Sequence, residues 1–409
     1  MNNKINISIL LLIIITLSGC YSLKAIKNGK PGVKVNLNAP SLSIQKDETF
    51  FSFSKKLDYK LQTYLDSSLV SSNTNSFIVI KNDTIIYEKY FNGYDSSQLQ
   101  TSWSVAKSFV SVLLGIAIDQ GKVKSTSEPI TNYLPELLKN DSRFANITIQ
   151  NVLDMRSGVD FREYYTNPFS KMAKLQYGNN INSLIANLKI KEEPNKNFEY
   201  TSINTQLLRV VIERSTGVKI NDFMQEQLWK PLQMESNATW NIDSYKNKNI
   251  KASCCLNAIP LDFAKFGRLI LNQGSWNGKQ IVSKEWVKSS TSKEAFFKQA
   301  NGFMSYHNQW WGVGDNFLMF KDSIEASTYK KSHTFTGSTR KSARGNYFVV
   351  PEIKGDFYAQ GFRGQIIYIN PINKVIIVRL GTDSNKQYTV NNYSTWQLHE
   401  FIQALGQSL

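Results

Sequence analysis

Strand-forming segments lie at the two ends of this 409-residue chain and helical ones fill the stretch between, an order that few architectures satisfy. Near the start, Phe77-Ile78-Val79-Ile80 and Ile85-Ile86-Tyr87 flank Lys81-Asn82-Asp83-Thr84, two apolar β-rich runs around turn residues that predict a hairpin. Strands return late, over residues 347–350, 357–360, 366–369 and 375–380, with Asn370-Pro371-Ile372-Asn373 as a turn. Between them the pattern predicts helices over 109–118, 148–155, 204–215 and 261–271, and a last helix over 393–405 closes the chain. The expected fold is α/β, of the α+β type: an antiparallel sheet built from the N- and C-terminal parts, flanked by helices, with an inserted helical lobe. A cleft is expected where the two parts meet. A composition of 41% hydrophobic and 12% aromatic residues is that of a folded protein.

The first residues are of another kind. Lys4 precedes an unbroken apolar run over 9–15 and then Leu17-Ser18-Gly19-Cys20. Charge, apolar stretch and small residues in that order predict a secretory signal, and the run is short against the roughly 20 residues of a membrane-spanning helix. The last four residues resemble the lipobox of bacterial lipoproteins, which implies cleavage before Cys20 and lipid on its thiol. The expected organisation is a signal peptide over 1–19, a polar lipidated tether over 20–50 and one folded domain over 51–409. The expected location is the bacterial cell envelope, as a membrane-anchored lipoprotein; which membrane and which oligomeric state stay open.

Lys and Arg number 48 against 32 Asp and Glu, a net charge of +16. For an exported protein such a surface faces anionic lipids or wall polymers, and nucleic acid is excluded as a partner by compartment. The densest cluster, Lys330, Lys331, Arg340, Lys341 and Arg344, falls in a Ser/Thr/Lys-rich segment, 327–345, that reads as an exposed loop. Beyond Cys20 only Cys254 and Cys255 remain. Adjacent cysteines hold their Cβ vectors poorly for bonding, so no disulfide is expected and both read as small buried hydrophobes. His307, His333 and His399 show no metal-ligand spacing, and neither metal nor cofactor is expected.

Ser104 and Lys107 open the apolar helix, three residues apart, so Oγ and Nζ project from one face. The same spacing recurs at Ser43, Ser52, Ser290, Ser327 and Ser338, all in polar segments. Only the Ser104 copy follows a tryptophan and leads into a long apolar run, where an amine would be desolvated and serve as base. Tyr200, just before the helix over 204–215, is a candidate proton shuttle if neighbouring cations lower its pKa, against packing on that helix as the alternative. The stretch Gly361-Phe362-Arg363-Gly364-Gln365 marks a strand bulge or a close backbone approach to ligand, with an N–H available to an oxyanion.

With these motifs in order, the chain resembles the serine hydrolases related to class C β-lactamases and DD-peptidases, above all the branch of 6-aminohexanoate-dimer hydrolases and similar esterases or amidases. Trp103-Ser104-Val105-Ala106-Lys107-Ser108-Phe109 matches the first motif, Tyr200-Thr201-Ser202 the tyrosine motif and Gly361 to Gln365 the third. Met155-Arg156-Ser157-Gly158-Val159, Gly274 to Gly278, Trp310-Trp311 and Asn370-Pro371 add to the likeness, which spans about residues 75 to 400. The resemblance implies a β-lactamase/transpeptidase-like fold and an acyl-serine mechanism. Ser104 is the nucleophile, Lys107 and Tyr200 serve as base and acid, and the N–H groups of Ser104 and Gln365 hold the oxyanion. Ser202, Arg363 and Gly364 are expected at the substrate site on the same likeness, and the loop tyrosines Tyr164 and Tyr165 either line it or simply pack. Two departures argue against penicillin hydrolysis: Ser202 stands where β-lactamases carry asparagine, and Phe362 and Arg363 replace the Lys-Thr of Lys-Thr-Gly. The implied substrate is a small amide, ester or short peptide. The alternatives are a penicillin-binding sensor that acylates without turnover and an inactive surface lipoprotein.

Overall fold

The computed structural model describes residues 21–30, 32–69, 73–299, 306–312, 318–320, 322–332, 337–341, 347–351, 355–382 and 395–409. The elements used below are, in chain order, α1 (Tyr21–Asn28), β1 (Ser41–Ile44), β2 (Ser54–Lys55), α2 (Tyr59–Leu69), β3 (Thr74–Lys81), β4 (Thr84–Tyr90), β5 (Gln100–Thr101), α3 (Ala106–Asp119), α4 (Lys171–Tyr177), α5 (Ser202–Thr216), β6 (Ala238–Asn241), β7 (Leu256–Ala258), α6 (Pro260–Leu271), β8 (Tyr306–His307), β9 (Trp310–Gly312), β10 (Phe357–Gly361), β11 (Gln365–Asn370), β12 (Val375–Gly381) and α7 (Thr395–Ser408).

One eight-stranded sheet runs β8-β9-β10-β11-β12-β3-β4-β2, antiparallel except where β2 joins β4. The two ends of the chain meet at its centre, where Ile78 pairs with Val378 and Ile80 with Ile376. Alternate side chains of β3 go to opposite faces, as a pleated strand requires. Ile78 and Ile80 join the core beneath α3 and α6. Phe77 and Val79 join Leu65 of α2 and Leu398, Ile402 and Leu405 of α7 on the other face. Helix α6 lies so close to the sheet at Gly267 that an added Cβ would come within 2.8 Å of Ile376.

Helix α3 is buried all round, with twelve of its fourteen residues out of solvent, so it forms the axis of the molecule and not a surface helix. Phe109 stacks on Phe266 of α6 at 3.7 Å between ring centroids, and Phe266 in turn stacks on Trp310. Burying a side chain of that size contributes about 1.5–3 kcal/mol, which fixes the start of α3 against the sheet.

Three expectations are corrected. Residues 21–50 are not a free tether: α1 packs on α4, β1 pairs with β6 in a second sheet ordered β1-β6-β7-β5, and Asn36 is buried, bonded to Gln176 and Asn241. Its order comes from partners far along the chain, so polarity and missing periodicity did not reveal it. The segment 327–345 is not a loop throughout, since a helix covers Ser323–Ser332 and the strand Gly337–Lys341 pairs with Tyr347–Pro351; Arg344 lies outside the described residues. Cys254 and Cys255 are disulfide-bonded. Cys254 N–H donates to the Lys251 carbonyl in a turn and Cys255 takes a left-handed φ of 68°, a local shape that ordinary extended backbone lacks. Cys20 and the signal segment lie outside the described residues. Among the described residues no helix is long and apolar enough to cross a membrane.

Candidate active site

The chain leaves β5, held to β7 by Ser102 N–H donating to the Leu256 carbonyl, and turns at once into α3. Trp103 makes that turn with φ of 46°, a left-handed conformation that costs a non-glycine residue about 1–2 kcal/mol. Its buried indole packs edge-on to Phe362, 5.5 Å between centroids, which holds the conformation. One 3-10 turn, Trp103–Val105, then delivers Ser104, partly exposed, and Lys107, fully buried, to one face.

Lys107 Nζ donates to Ser104 Oγ at 3.0 Å, to Ser202 Oγ at 3.3 Å and to the Ser253 carbonyl at 2.7 Å. All three ammonium donors are satisfied by neutral oxygens, and among the described residues no carboxylate pairs with the buried charge. Burial accordingly pulls the Lys107 pKa down to about 8, with the carboxylate of Glu163 opposing the shift. Helix α5 supplies Ser202 at its first turn, and the residue two before it, Tyr200, puts its ring 5.1 Å from Nζ. Here the expected direction fails: burial pushes the Tyr200 pKa up, Glu163 adds to the rise, and only the neighbouring Ser104 hydroxyl pulls it down. Lys107 is the group that can take a proton near neutrality; Tyr200 is a phenol able to give one.

Around these groups lies a narrow cavity lined by Trp103, Ser104, Tyr165, Ser202, Lys251 and Phe362 among others. Tyr165 stacks on Phe362 with 5.7 Å between nearly parallel rings. Trp311 and Tyr306 back the ring of Tyr200.

In the third stretch the close backbone approach falls at Gly361. Gly361 ends β10 against the nucleophile: an added Cβ there would overlap the Ser102 carbonyl and come within 3.0 Å of Ser104 N. Gln365, whose N–H is the expected second oxyanion donor, has a buried side chain that donates to the carbonyls of Phe362, Arg363 and Gly381 and accepts from Gly381 N–H. Arg363 and Gly364 form the turn between them with φ of 67° and 72°. Buried Arg379 donates to both their carbonyls, at 2.7 and 3.0 Å. The Arg363 guanidinium lies over the Phe362 ring, 5.1 Å from its centroid. Phe362 contributes a cavity wall, while Gln365 and Gly364 shape the turn.

The beta-lactamase family model matches residues 73–400. The chain belongs to the beta-lactamase family. Among curated proteins it is 28% identical to the 6-aminohexanoate-dimer hydrolase of Paenarthrobacter ureafaciens over 61% of this chain and 67% of that one. A Bacillus anthracis structure assigned as a 6-aminohexanoate-dimer hydrolase superposes with a TM-score of 0.63 at 22% identity, covering 90% of each chain. A class C beta-lactamase in complex with cefoxitin gives 0.54 at 17% identity, covering 85% of this chain and 96% of that one. The fold of this beta-lactamase family member is therefore the one its sequence resembled.

Sequence reasoning missed Glu163. Its Oε1 accepts from the Ser202 N–H, its Oε2 is buried and finds no hydrogen-bond partner among the described residues, and its charge acts on Lys107, Tyr200 and Tyr165 together. A lone acid in the polar loop Phe161-Arg162-Glu163-Tyr164-Tyr165 carries no periodic signal; its nearness to Tyr165 was the available hint. Because the carboxylate favours the charged form of Lys107, Glu163→Gln is expected to move the acid limb of kcat/KM to lower pH. A limb at the wild-type pH in that variant would show that the carboxylate does not act on Lys107.

Proposed function

We propose that this beta-lactamase family member is a serine hydrolase that cleaves a linear amide or ester through an acyl group on Ser104. The observation that carries it is the buried Lys107 amine, 3.0 Å from Ser104 Oγ and with a pKa brought down to about 8. Neutral Lys107 takes the Ser104 proton as Oγ attacks the carbonyl. The Ser104 N–H, with Gly361 drawn against it, faces the developing oxyanion. Tyr200 gives its proton to the leaving amine or alkoxide, and the Lys107 ammonium beside its ring restores it. Water then enters, is deprotonated by the same pair, and releases the acid. Three aromatic rings, Trp103, Tyr165 and Phe362, suit an apolar chain on either side of the scissile bond. A fluorophosphonate probe should label the wild-type protein at Ser104; absence of labelling under conditions where the protein is folded would favour the inactive-lipoprotein reading.

We also propose that Cys20 carries lipid in a bacterial envelope. Since α1 begins at Tyr21 and packs on the body, the anchor would hold the domain directly at the surface. Cys20→Ser is expected to move the protein from the membrane to the soluble fraction; an unchanged distribution would refute the anchor.

A further inference from the structure

A second lysine lines the cavity that holds Ser104. Lys251 is only 6% exposed, and its ammonium donates to one acceptor, the Gln176 carbonyl at 2.7 Å. That carbonyl is in the last turn of α4, where backbone acceptors lack helical partners, so Lys251 caps the helix with one of its three donors. Among the described residues no carboxylate lies within ion-pair distance of it. Asp243, the acid that acts on it from farther off, is committed elsewhere. Its carboxylate accepts from Ile181 N–H, Ser244 N–H and both the backbone and the side-chain amide of Asn249.

The surroundings make this lack of an anion more marked. Lys24 of α1 adds like charge near Lys251, and Lys30 lines an adjoining pocket that shares Tyr165, Met172 and Gln176 with the catalytic cavity. Burial first, and Lys24 in addition, bring the Lys251 pKa down to about 8, against the pull of Asp243. Burying an ammonium with no anion beside it carries a desolvation cost that a bound anion would offset. Lys107 cannot serve a ligand in this way, because its three donors are spent on Ser104, Ser202 and Ser253. Both lysines are nonetheless tied to one turn: Cys254 N–H bonded to the Lys251 carbonyl puts the Ser253 carbonyl on Lys107 and the Lys251 side chain on the cavity wall.

We propose that Lys251 receives a carboxylate carried by the substrate, so that the amides or esters cleaved at Ser104 are those bearing an anionic group beyond an apolar spacer. This rests on the serine-hydrolase reading above. It locates substrate selection at the turn 251–254 and not at the Phe362-Arg363 positions.

The test compares kcat/KM for paired esters that differ in one charge. Mono-p-nitrophenyl glutarate is set against p-nitrophenyl pentanoate for an acyl-side carboxylate, and acetylated p-hydroxybenzoate against acetylated p-hydroxybenzamide for a leaving-group carboxylate. The wild-type protein is expected to favour the charged member of at least one pair by about tenfold or more, the value of a charge-assisted hydrogen bond. Lys251→Met should bring that ratio to near one, and Lys251→Arg should retain most of it. If Lys251→Met fails to fold, Lys251→Gln, which keeps a donor for the Gln176 carbonyl, replaces it. Ratios near one for both pairs in the wild type, or a ratio kept in the uncharged variant, would overturn the assignment. Should no ester be hydrolysed and Ser104 resist the fluorophosphonate, the hydrolase reading falls instead. Calorimetry of the wild-type protein with adipate against hexanediol then decides: adipate binding lost in Lys251→Met supports the site, and no preference for adipate overturns it.

Discussion

Ser104→Ala is expected to lower kcat/KM for p-nitrophenyl esters by about 10⁵-fold, or about 7 kcal/mol of transition-state stabilisation at about 1.4 kcal/mol per decade. The loss is large because the neighbouring hydroxyl of Ser202 is not placed to replace it. Ser202 Oγ lies 3.3 Å from the same amine, but its backbone N–H is tied to Glu163 and it opens α5, not the turn beside Gly361. The fold should be retained: Lys107 keeps its bonds to Ser202 and to the Ser253 carbonyl, and Ser104 makes no helix-capping contact. Thermal unfolding within about 1 kcal/mol of wild type, alongside the lost turnover, separates chemistry from collapse. Undiminished hydrolysis in a folded Ser104→Ala protein would remove the nucleophile from the account.

The second large effect concerns Lys107. As a base it must be neutral, so kcat/KM should rise with pH through a limb centred near about 8 and fall below it, where the ammonium dominates. Lys107→Met is expected to abolish that limb and to reduce the rate by about 10²–10⁴-fold. The substitution also strands the Ser253 carbonyl, at about 1–3 kcal/mol, partly offset by removal of a buried charge. Lys107→Arg is the sharper control, because a guanidinium stays charged throughout the accessible pH range. If Lys107 acts as a base, the arginine variant is as inactive as the methionine one. Activity in Lys107→Arg without an acid limb would mean that the residue supplies only positive charge. The sign for Tyr200 is the reverse: its phenol is held above its usual pKa, so its titration should not appear on the acid side.

The sheet was legible because its strands are long, β-rich and bounded by turn residues. Lys81 to Thr84 and Asn370 to Asn373 turn the chain where expected, and β3 and β12 are buried almost throughout. Ser104 and Lys107 were legible for a similar local reason, a fixed spacing at the head of an apolar helix with twelve of its fourteen residues buried. What escaped depends on distant partners. Asn36 belongs to the body through bonds to Gln176, Asn241 and Thr101, all far along the chain. Glu163 matters only because its loop folds over the first turn of α5. Gln365 was a reasonable donor along the sequence, but it is Gly361, its register partner across the left-handed turn Arg363-Gly364, that lies against Ser104, and no periodicity announces two consecutive positive φ angles. The Cys254–Cys255 bond depends on a turn that the apolar stretch after it concealed.

The central claim is that Ser104 carries the acyl group, with Lys107 taking its proton. Quenching the wild-type protein with acid during turnover of a p-nitrophenyl ester, then locating the added acyl mass by peptide mass spectrometry, tests it directly. The account predicts one acyl group, on Ser104, absent from Lys107→Met mixed for the same time. Turnover with the acyl mass on another residue, or turnover at full rate with no acylated peptide at all, would contradict it.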